Sequence, residues 1–180
     1  MVRSSVGTKL YLGVMAIFLL FAVSFIVFQH DREKRYKIDV LDTRLQDYNE
    51  RMAEVLAMNR NMTEKAIDAY VKDHYEPDMR VTVIDMKGRV IFDNKYKDYA
   101  RLENHLGRDE VRQALRQGSG YDIDRKSSTM GQSYFYSATS FPRQRFIIRT
   151  ALPYNDSLAR TLRTDQHYVW FALIAMVLLT

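Results

Sequence analysis

With 180 residues, a formal net charge of +5 and no cysteine, the chain has room for one modest globular domain and excludes disulfide frameworks, thiolate metal centres and cysteine nucleophiles. All 22 acidic residues follow His30, and of the 27 basic ones only Arg3 and Lys9 precede it, so the remainder is mildly basic. That balance is too weak for a nucleic-acid surface, and no nucleic-acid partner is expected.

In chain order, residues 1–9 read as a cytoplasmic N-terminus and 10–29 as a first transmembrane helix. Leu10 to Phe28 is unbroken apolar sequence, and about 20 helical residues cross a hydrocarbon core. A secretory signal would have a shorter core and a small-residue cleavage site, whereas Phe28 runs straight into Gln29, His30 and Asp31. Residues 167–180 read as the start of a second span, led in by His167 with Tyr168 and Trp170 at an interfacial belt, and expected to continue past Thr180. Arg3 and Lys9 favour a cytoplasmic N-terminus, while Arg32, Lys34, Arg35 and Lys37 count the other way. Because long loops translocate largely regardless of charge, residues 30–166 are placed outside, in a two-pass protein of the cytoplasmic (inner) membrane with the bilayer as its first partner.

A long helix over 31–75 opens the outer region. Its apolar stripe, Ile38, Leu41, Leu45, Tyr48, Met52 and Val55, steps by three and four, as in a heptad seam or a helix laid on a partner surface. These residues are the expected relay face, holding a dimer or packing on a sheet. A break is expected around Asn59, with Thr63 capping a new helix to about His74. A sheet over 80–153 follows. Arg80 to Asn94 predicts a tight hairpin turning at Asp85 to Gly88, and Arg108 to Gln117 a short helix stopped by Gly118. Strands are expected at about Tyr121 to Ser127, Gln132 to Ser140 and Phe146 to Leu152, and an exit helix capped at Asn155 or Asp156. The fold class is α+β: a long N-terminal helix and a five-stranded antiparallel PAS-like sheet with helices on one face, between two transmembrane helices.

Chemistry-bearing residues are few. His74, Glu76 and Asp78 bunch around Pro77, and a polar loop closing a helix explains them more simply than a metal site, so no metal ligand is assigned. Asp122 and Asp124 share one strand face by the period-two rule. No catalytic residue is assigned. The ligand-binding candidates are Arg125, Ser127, Ser128, Tyr134, Tyr136, Arg145 and Arg149, on the last three strands and their turns. A guanidinium beside tyrosine hydroxyls suits a carboxylate or phosphate; surface decoration with cross-strand aromatic pairs is the plainer alternative. His105 is placed in a loop, bonded to backbone, with a pH switch open to it because an unperturbed histidine titrates at about 6.5.

Four stretches then form a pattern: RVTVIDMKGRVIFDN from Arg80, LENHLGRDEVRQAL from Leu102, RKSSTMGQSYFYSA from Arg125 and FIIRTALP from Phe146. In this order between two spans they resemble the extracytoplasmic PAS-like (PDC or Cache-type) sensor domain of membrane-bound two-component histidine kinases, the phosphate-regulon type being the nearest group. The resemblance implies a periplasmic or extracellular sensor, a homodimer, a stimulus that is a small molecule or a protein, and a response regulator as partner of a cytoplasmic kinase core using ATP and Mg. No cofactor is expected in this chain. None of His30, His74, His105 and His167 stands in a phosphoacceptor motif, and no nucleotide-binding glycine box is present, so kinase chemistry is expected beyond Thr180. A chemoreceptor, a cyclic-dinucleotide enzyme and a membrane-anchored scaffold are the alternatives.

Overall fold

The computed structural model describes residues 6–58, 63–127, 130–163, 167, 169–171 and 174. These divide into two compact units: residues 39–161, and a second made of the N-terminal part up to Ile38 with residues from Leu162 onward. Helix α1, Val6–Met58, contributes to both. Its first part contains an 18-residue window of mean hydropathy 2.7, none of it buried, so it is long and apolar enough to cross a bilayer. Within the same unit Lys37 Nζ pairs with Glu33 at 3.0 Å and donates to the Arg163 carbonyl at 2.8 Å. Most of the expected second span, Tyr168 to Thr180, lies outside the described residues, as do Asn59 to Met62 at the expected helix break.

The larger unit is built on a five-stranded antiparallel sheet: β1 (Arg80–Asp85), β2 (Val90–Asp93), β3 (Ser119–Lys126), β4 (Ser133–Phe141) and β5 (Phe146–Pro153). The spatial order is β2-β1-β5-β4-β3. The first and last strands of the sequence therefore pair at the centre, Thr82 opposite Arg149 and Val83 opposite Ile148. Helix α2 (Glu64–Asp73) starts at Thr63, whose hydroxyl accepts from the Ala66 amide as the cap expectation requires. Helix α3 (Asp109–Gln117) ends on Gly118 at φ +97°, a conformation that L side chains rarely adopt. Helix α4 spans Asp156–Leu162.

Both faces of the sheet are covered, where one was expected. Residues 134–139 of β4 and 146–151 of β5 are buried without alternation, and a strand with two apolar faces needs a layer on each. On one face Ile84, Ala138 and Ile147 pack with Val111 and Ala114 of α3. On the other, Asn49 of α1 donates to the Thr139 hydroxyl at 3.1 Å, and the Ser137 hydroxyl donates to Asp42 at 2.5 Å. The buried positions of α1 on this unit are Asp42, Leu45, Asn49, Met52, Ala53 and Leu56, while Val55 is exposed and Leu41 and Tyr48 are half-buried. The expected seam thus has the right spacing but is turned by one residue at alternate steps. Polar Asp42 and Asn49 face inward where the Ser137 hydroxyl bonds the Asp42 carboxylate and the Thr139 hydroxyl accepts from Asn49 Nδ2, an exchange that no hydrophobic pattern reveals. Tyr48 meets Tyr70 of α2 edge-on at 5.8 Å.

The β1–β2 hairpin is as expected: Asp85 Oδ1 accepts from the Lys87 and Arg89 amides at 2.8 and 2.9 Å, and Gly88 takes φ +83°. The turn also carries the loop that follows. Asn104 Nδ2 donates to the Lys87 carbonyl at 2.7 Å and the His105 amide to the Gly88 carbonyl at 2.8 Å, so the hairpin aims residues 102–108 at the α3 face of the sheet. Gly120 allows equally close packing: a Cβ there would overlap Gln113 and the Glu110 carbonyl. Gly120→Ala is expected to destabilise the protein by about 1–3 kcal/mol through overpacking. Gly107→Ala, with nothing within 4 Å of its added methyl, should stay within about 0.5 kcal/mol of wild type. Urea unfolding of the two variants measures the difference.

Candidate functional site

Arg80 opens β1 and its side chain is 2% exposed. A guanidinium so placed needs a carboxylate, and the neighbouring strand supplies Asp93, itself fully buried, at 2.8–3.2 Å. Asp93 is saturated: it also accepts from the Thr82 hydroxyl at 2.9 Å and from the Lys95 and Tyr96 amides at 3.0 Å. Two residues along the same face, Thr82 receives Arg149 Nη2 at 3.2 Å from β5. Arg149 Nη1 lies 3.2 Å from Glu110 Oε1, and Arg125 Nη2 reaches the same oxygen at 2.6 Å. Glu110 is in the first turn of α3, with no exposed surface.

Both guanidiniums lie against the ring of Tyr136, 4.0 Å from its centre for Arg125 and 4.8 Å for Arg149, a cation–π arrangement in a largely desolvated place. Burial pulls the pKa of Arg149 below its ordinary value, and the Glu110 carboxylate opposes that pull. Arg125 also stands 2.8 Å from Asp122, whose pKa burial raises above the usual carboxylate value against the attraction of Arg125. The Arg80 Nη1 contact to the Ser127 hydroxyl at 3.4 Å closes the far side.

Arg80, Arg125 and Arg149 converge with His105, Arg108, Ser127 and Tyr136 on a small pocket of about 10 Å³, the space of roughly one water molecule. Among the described residues no acidic side chain lines it; Glu110 and Asp93 bond the arginines instead. Among the described residues three larger clefts are lined differently: one of about 500 Å³ beside Glu50, Glu54 and Thr139 carries acidic groups, and those of about 460 Å³ beside Arg32 and Glu33 and about 370 Å³ between Tyr48 and Tyr70 carry both signs. Chemically the small cavity is distinct: its polar wall is almost all hydrogen-bond donor, which suits an anion.

Of the residues expected from sequence, Arg125, Ser127, Tyr136 and Arg149 come together here, and Tyr134 packs beside Tyr136 with ring centroids 5.7 Å apart. They are not surface decoration: Tyr136 is 1% exposed and Arg149 3%. Arg145 lies in the exposed β4–β5 turn at φ +64°, away from the cluster. Ser128 lies outside the described residues. Arg80, Asp93, Arg108 and Glu110 were missed. A signal for Arg80 and Asp93 existed, because hairpin pairing sets Asp93 opposite Thr82, diagonal to Arg80. Glu110 and Arg108 had none, since only the tertiary fold lays α3 over the arginines.

The remaining expectations resolve differently. Asp122 and Asp124 are no matched pair: a bulge interrupts β3 between Asp122 and Arg125, Asp124 sits at φ +55° and is exposed, and Asp122 faces Arg125. His74 stacks on Tyr70 with its Nδ1 3.1 Å from the Tyr70 carbonyl, and Glu76 binds Arg44 at 2.6 Å. His105 donates from Nδ1 to the Glu103 carbonyl at 2.6 Å, as expected of a loop histidine. Burial, with Arg149, Arg108 and Arg80 nearby, pushes its pKa down to about 3, so it stays neutral through the range where a pH switch would act.

No protein-family model matches the chain, and no curated protein matches it. Among solved structures the fold is similar to the periplasmic sensor domain of a chemotaxis protein, with 17% identity and a TM-score of 0.44, covering 69% of this chain and 97% of that one. A Cache chemosensory domain described for carboxylic acid recognition is similar at 12% identity and a TM-score of 0.45, covering 69% of this chain and 95% of that one. The extracellular domain of a candidate histidine kinase is similar at 15% identity and a TM-score of 0.38, covering 51% of this chain and 39% of that one.

Two outcomes are expected of the site. Asp93→Asn removes the charge that compensates buried Arg80 and should cost about 3–5 kcal/mol in chemical unfolding, whereas Glu103→Gln, on the exposed partner of Arg108, should cost under about 1 kcal/mol. His105 has a folded-state pKa below its unfolded value, so the unfolded chain takes up its proton first as pH falls. The stability that it contributes is complete above about pH 6.5 and is lost between there and about pH 3. Against wild type, His105→Gln should therefore show a flatter fall of Tm between pH 6.5 and 4. Asp42 and Asp122, raised by burial, act in the opposite sense, so the comparison is made as a difference between the two proteins.

Proposed function

We propose that the chain is the sensing and transmembrane-relay part of a receptor, whose outer lobe takes a small carboxylate or phosphate at the arginine site. The observation that carries this reading is the donor-lined cavity among Arg80, Arg125 and Arg149. A purely structural ion-pair network gains by having every buried polar atom bonded. Here Arg149 Nε and Glu110 Oε2 are buried without partners, which suits a site able to accept something more.

The sheet supplies a route from that site to α1. Along β4 and β5 successive side chains point to opposite faces. Tyr136 and Arg149 face the arginine site, while the adjoining Ser137 and Thr139 hold Asp42 and Asn49 of α1. A ligand that favours one setting of these strands over another shifts the seating of α1, in proportion to its difference in affinity for the two. The apolar first part of α1 suits it to lipid.

As output we propose a cytoplasmic histidine kinase core working as a homodimer on a response regulator, with ATP and Mg bound outside this chain, in an inner-membrane protein that crosses twice. A chemoreceptor is an equal second reading, because the same lobe and anchor serve either output. A phosphoacceptor histidine after a helical linker in the coding sequence past Thr180 supports the kinase, and a long heptad hairpin supports the chemoreceptor.

The full chain in phospholipid nanodiscs, titrated calorimetrically with sodium acetate and with inorganic phosphate, should bind at least one of them. Arg125→Gln, which removes a guanidinium that is 21% exposed, should weaken that binding by about tenfold or more. Unchanged affinity in Arg125→Gln, or no binding of either anion by wild type and variants alike, overturns the anion reading.

A further inference from the structure

Glu110 stands where an external carboxylate would stand, and its fit is incomplete. Its Oε1 accepts from both Arg125 and Arg149, at 2.6 and 3.2 Å. Its Oε2 is buried with no partner, and so is Arg149 Nε. The paired, two-pronged contact that carboxylate and guanidinium favour is therefore not made. Asp93, the other fully buried carboxylate among the described residues, differs in kind: two backbone amides, the Thr82 hydroxyl and Arg80 hold it in place. Glu110 has only the arginines.

Space and charge lead the same way. The cavity of about 10 Å³ admits roughly a water molecule, so neither acetate nor phosphate enters while Glu110 keeps its place. An anion set beside a resident Glu110 would also meet a like charge in a desolvated site, which is costly. If Glu110 leaves as the anion arrives, the number of buried negative charges is conserved and Arg149 keeps a counter-ion. Val111 and Ala114 hold α3 in the core and Gly120 passes close beneath the Glu110 carbonyl, so the helix backbone stays in place and the Glu110 carboxylate leaves by rotation of its side chain, next to the loop 102–108.

We infer that Glu110 is a built-in carboxylate occupant of the arginine site, which an incoming carboxylate or phosphate displaces, cutting the ion pairs that tie the first turn of α3 to Arg125 and Arg149. This rests on the anion reading of the site. Ligand occupancy then loosens the first turn of α3 rather than merely adding contacts, and part of the affinity goes into expelling the resident group.

The test uses the full chain in nanodiscs, with acetate and inorganic phosphate as probes. Glu110→Gln should bind the anion about tenfold more tightly than wild type, because nothing charged has to be expelled, while Glu103→Gln, which removes an exposed carboxylate from Arg108, should change it by less than about threefold. In wild type, saturating anion should speed hydrogen exchange in the first turn of α3, at the Arg112 amide that bonds the Arg108 carbonyl. Equal or weaker binding by Glu110→Gln, or an equal gain in Glu103→Gln, overturns displacement and leaves the anion site standing. Unchanged or slower exchange at Arg112 in the anion-bound wild type overturns it too, and needs no variant to fold. No binding by wild type or by Glu110→Gln at millimolar anion removes the site and this inference together.

Discussion

Two arginines that scarcely touch water, Arg80 and Arg149, impose the constraint around which the sheet's inner layer is arranged. Each needs a carboxylate within hydrogen-bonding distance, because an uncompensated buried guanidinium costs several kcal/mol. Asp93 answers for Arg80 from the adjacent strand, so that pair is made by the hairpin alone. Glu110 answers for Arg149 from a helix that reaches the sheet only after the chain has passed through residues 94–108. The position of α3, the passage of Gly120 close beneath it and the seating of loop 102–108 on the hairpin turn all serve that second pairing.

The two pairs differ in completeness, and the difference bears on function. Asp93 is bonded through both oxygens to amides, a hydroxyl and a guanidinium, which marks a fixed structural element. Glu110 shares one oxygen between two arginines and leaves the other bare. In a tightly packed interior such a mismatch is uncommon, and it is found here beside a cavity walled by donors. On the proposed reading, a site in this condition is poised between an internal and an external anion, a sound starting state for a receptor whose response must differ between empty and filled forms.

The opposite face of the sheet has a matching peculiarity. Where α1 meets β4, Asp42 and Asn49 take positions that a close-packed helix would give to leucine, and they bond Ser137 and Thr139. A wholly apolar seam resists sliding through packing alone, whereas directional hydrogen bonds favour particular registers. The strand that holds Tyr136 thus grips α1 through polar contacts with preferred settings, and the two layers are coupled by the alternation of side chains along β4, which pairs with the Arg149 strand β5.

Read alone, the sequence determined whatever depends on near neighbours. The apolar run from Leu10, the Asp85 to Gly88 turn, the Thr63 cap, the Gly118 stop and the five strands follow from period, caps and turn chemistry within a few residues, and all of them recur in the folded chain. It also marked Arg125, Ser127, Tyr136 and Arg149 as chemically notable, because polar and cationic groups interrupt strands that are otherwise apolar or aromatic. Only the tertiary structure decided that these groups are buried, that the inward positions of α1 fall on Asp42 and Asn49, that α3 lies on the face opposite α1, and that Glu110 and Arg80 complete the cluster. Those outcomes depend on pairings across tens of residues, where a carboxylate on one element neutralises a guanidinium on another. No local pattern records which distant partner will make a buried charge tolerable.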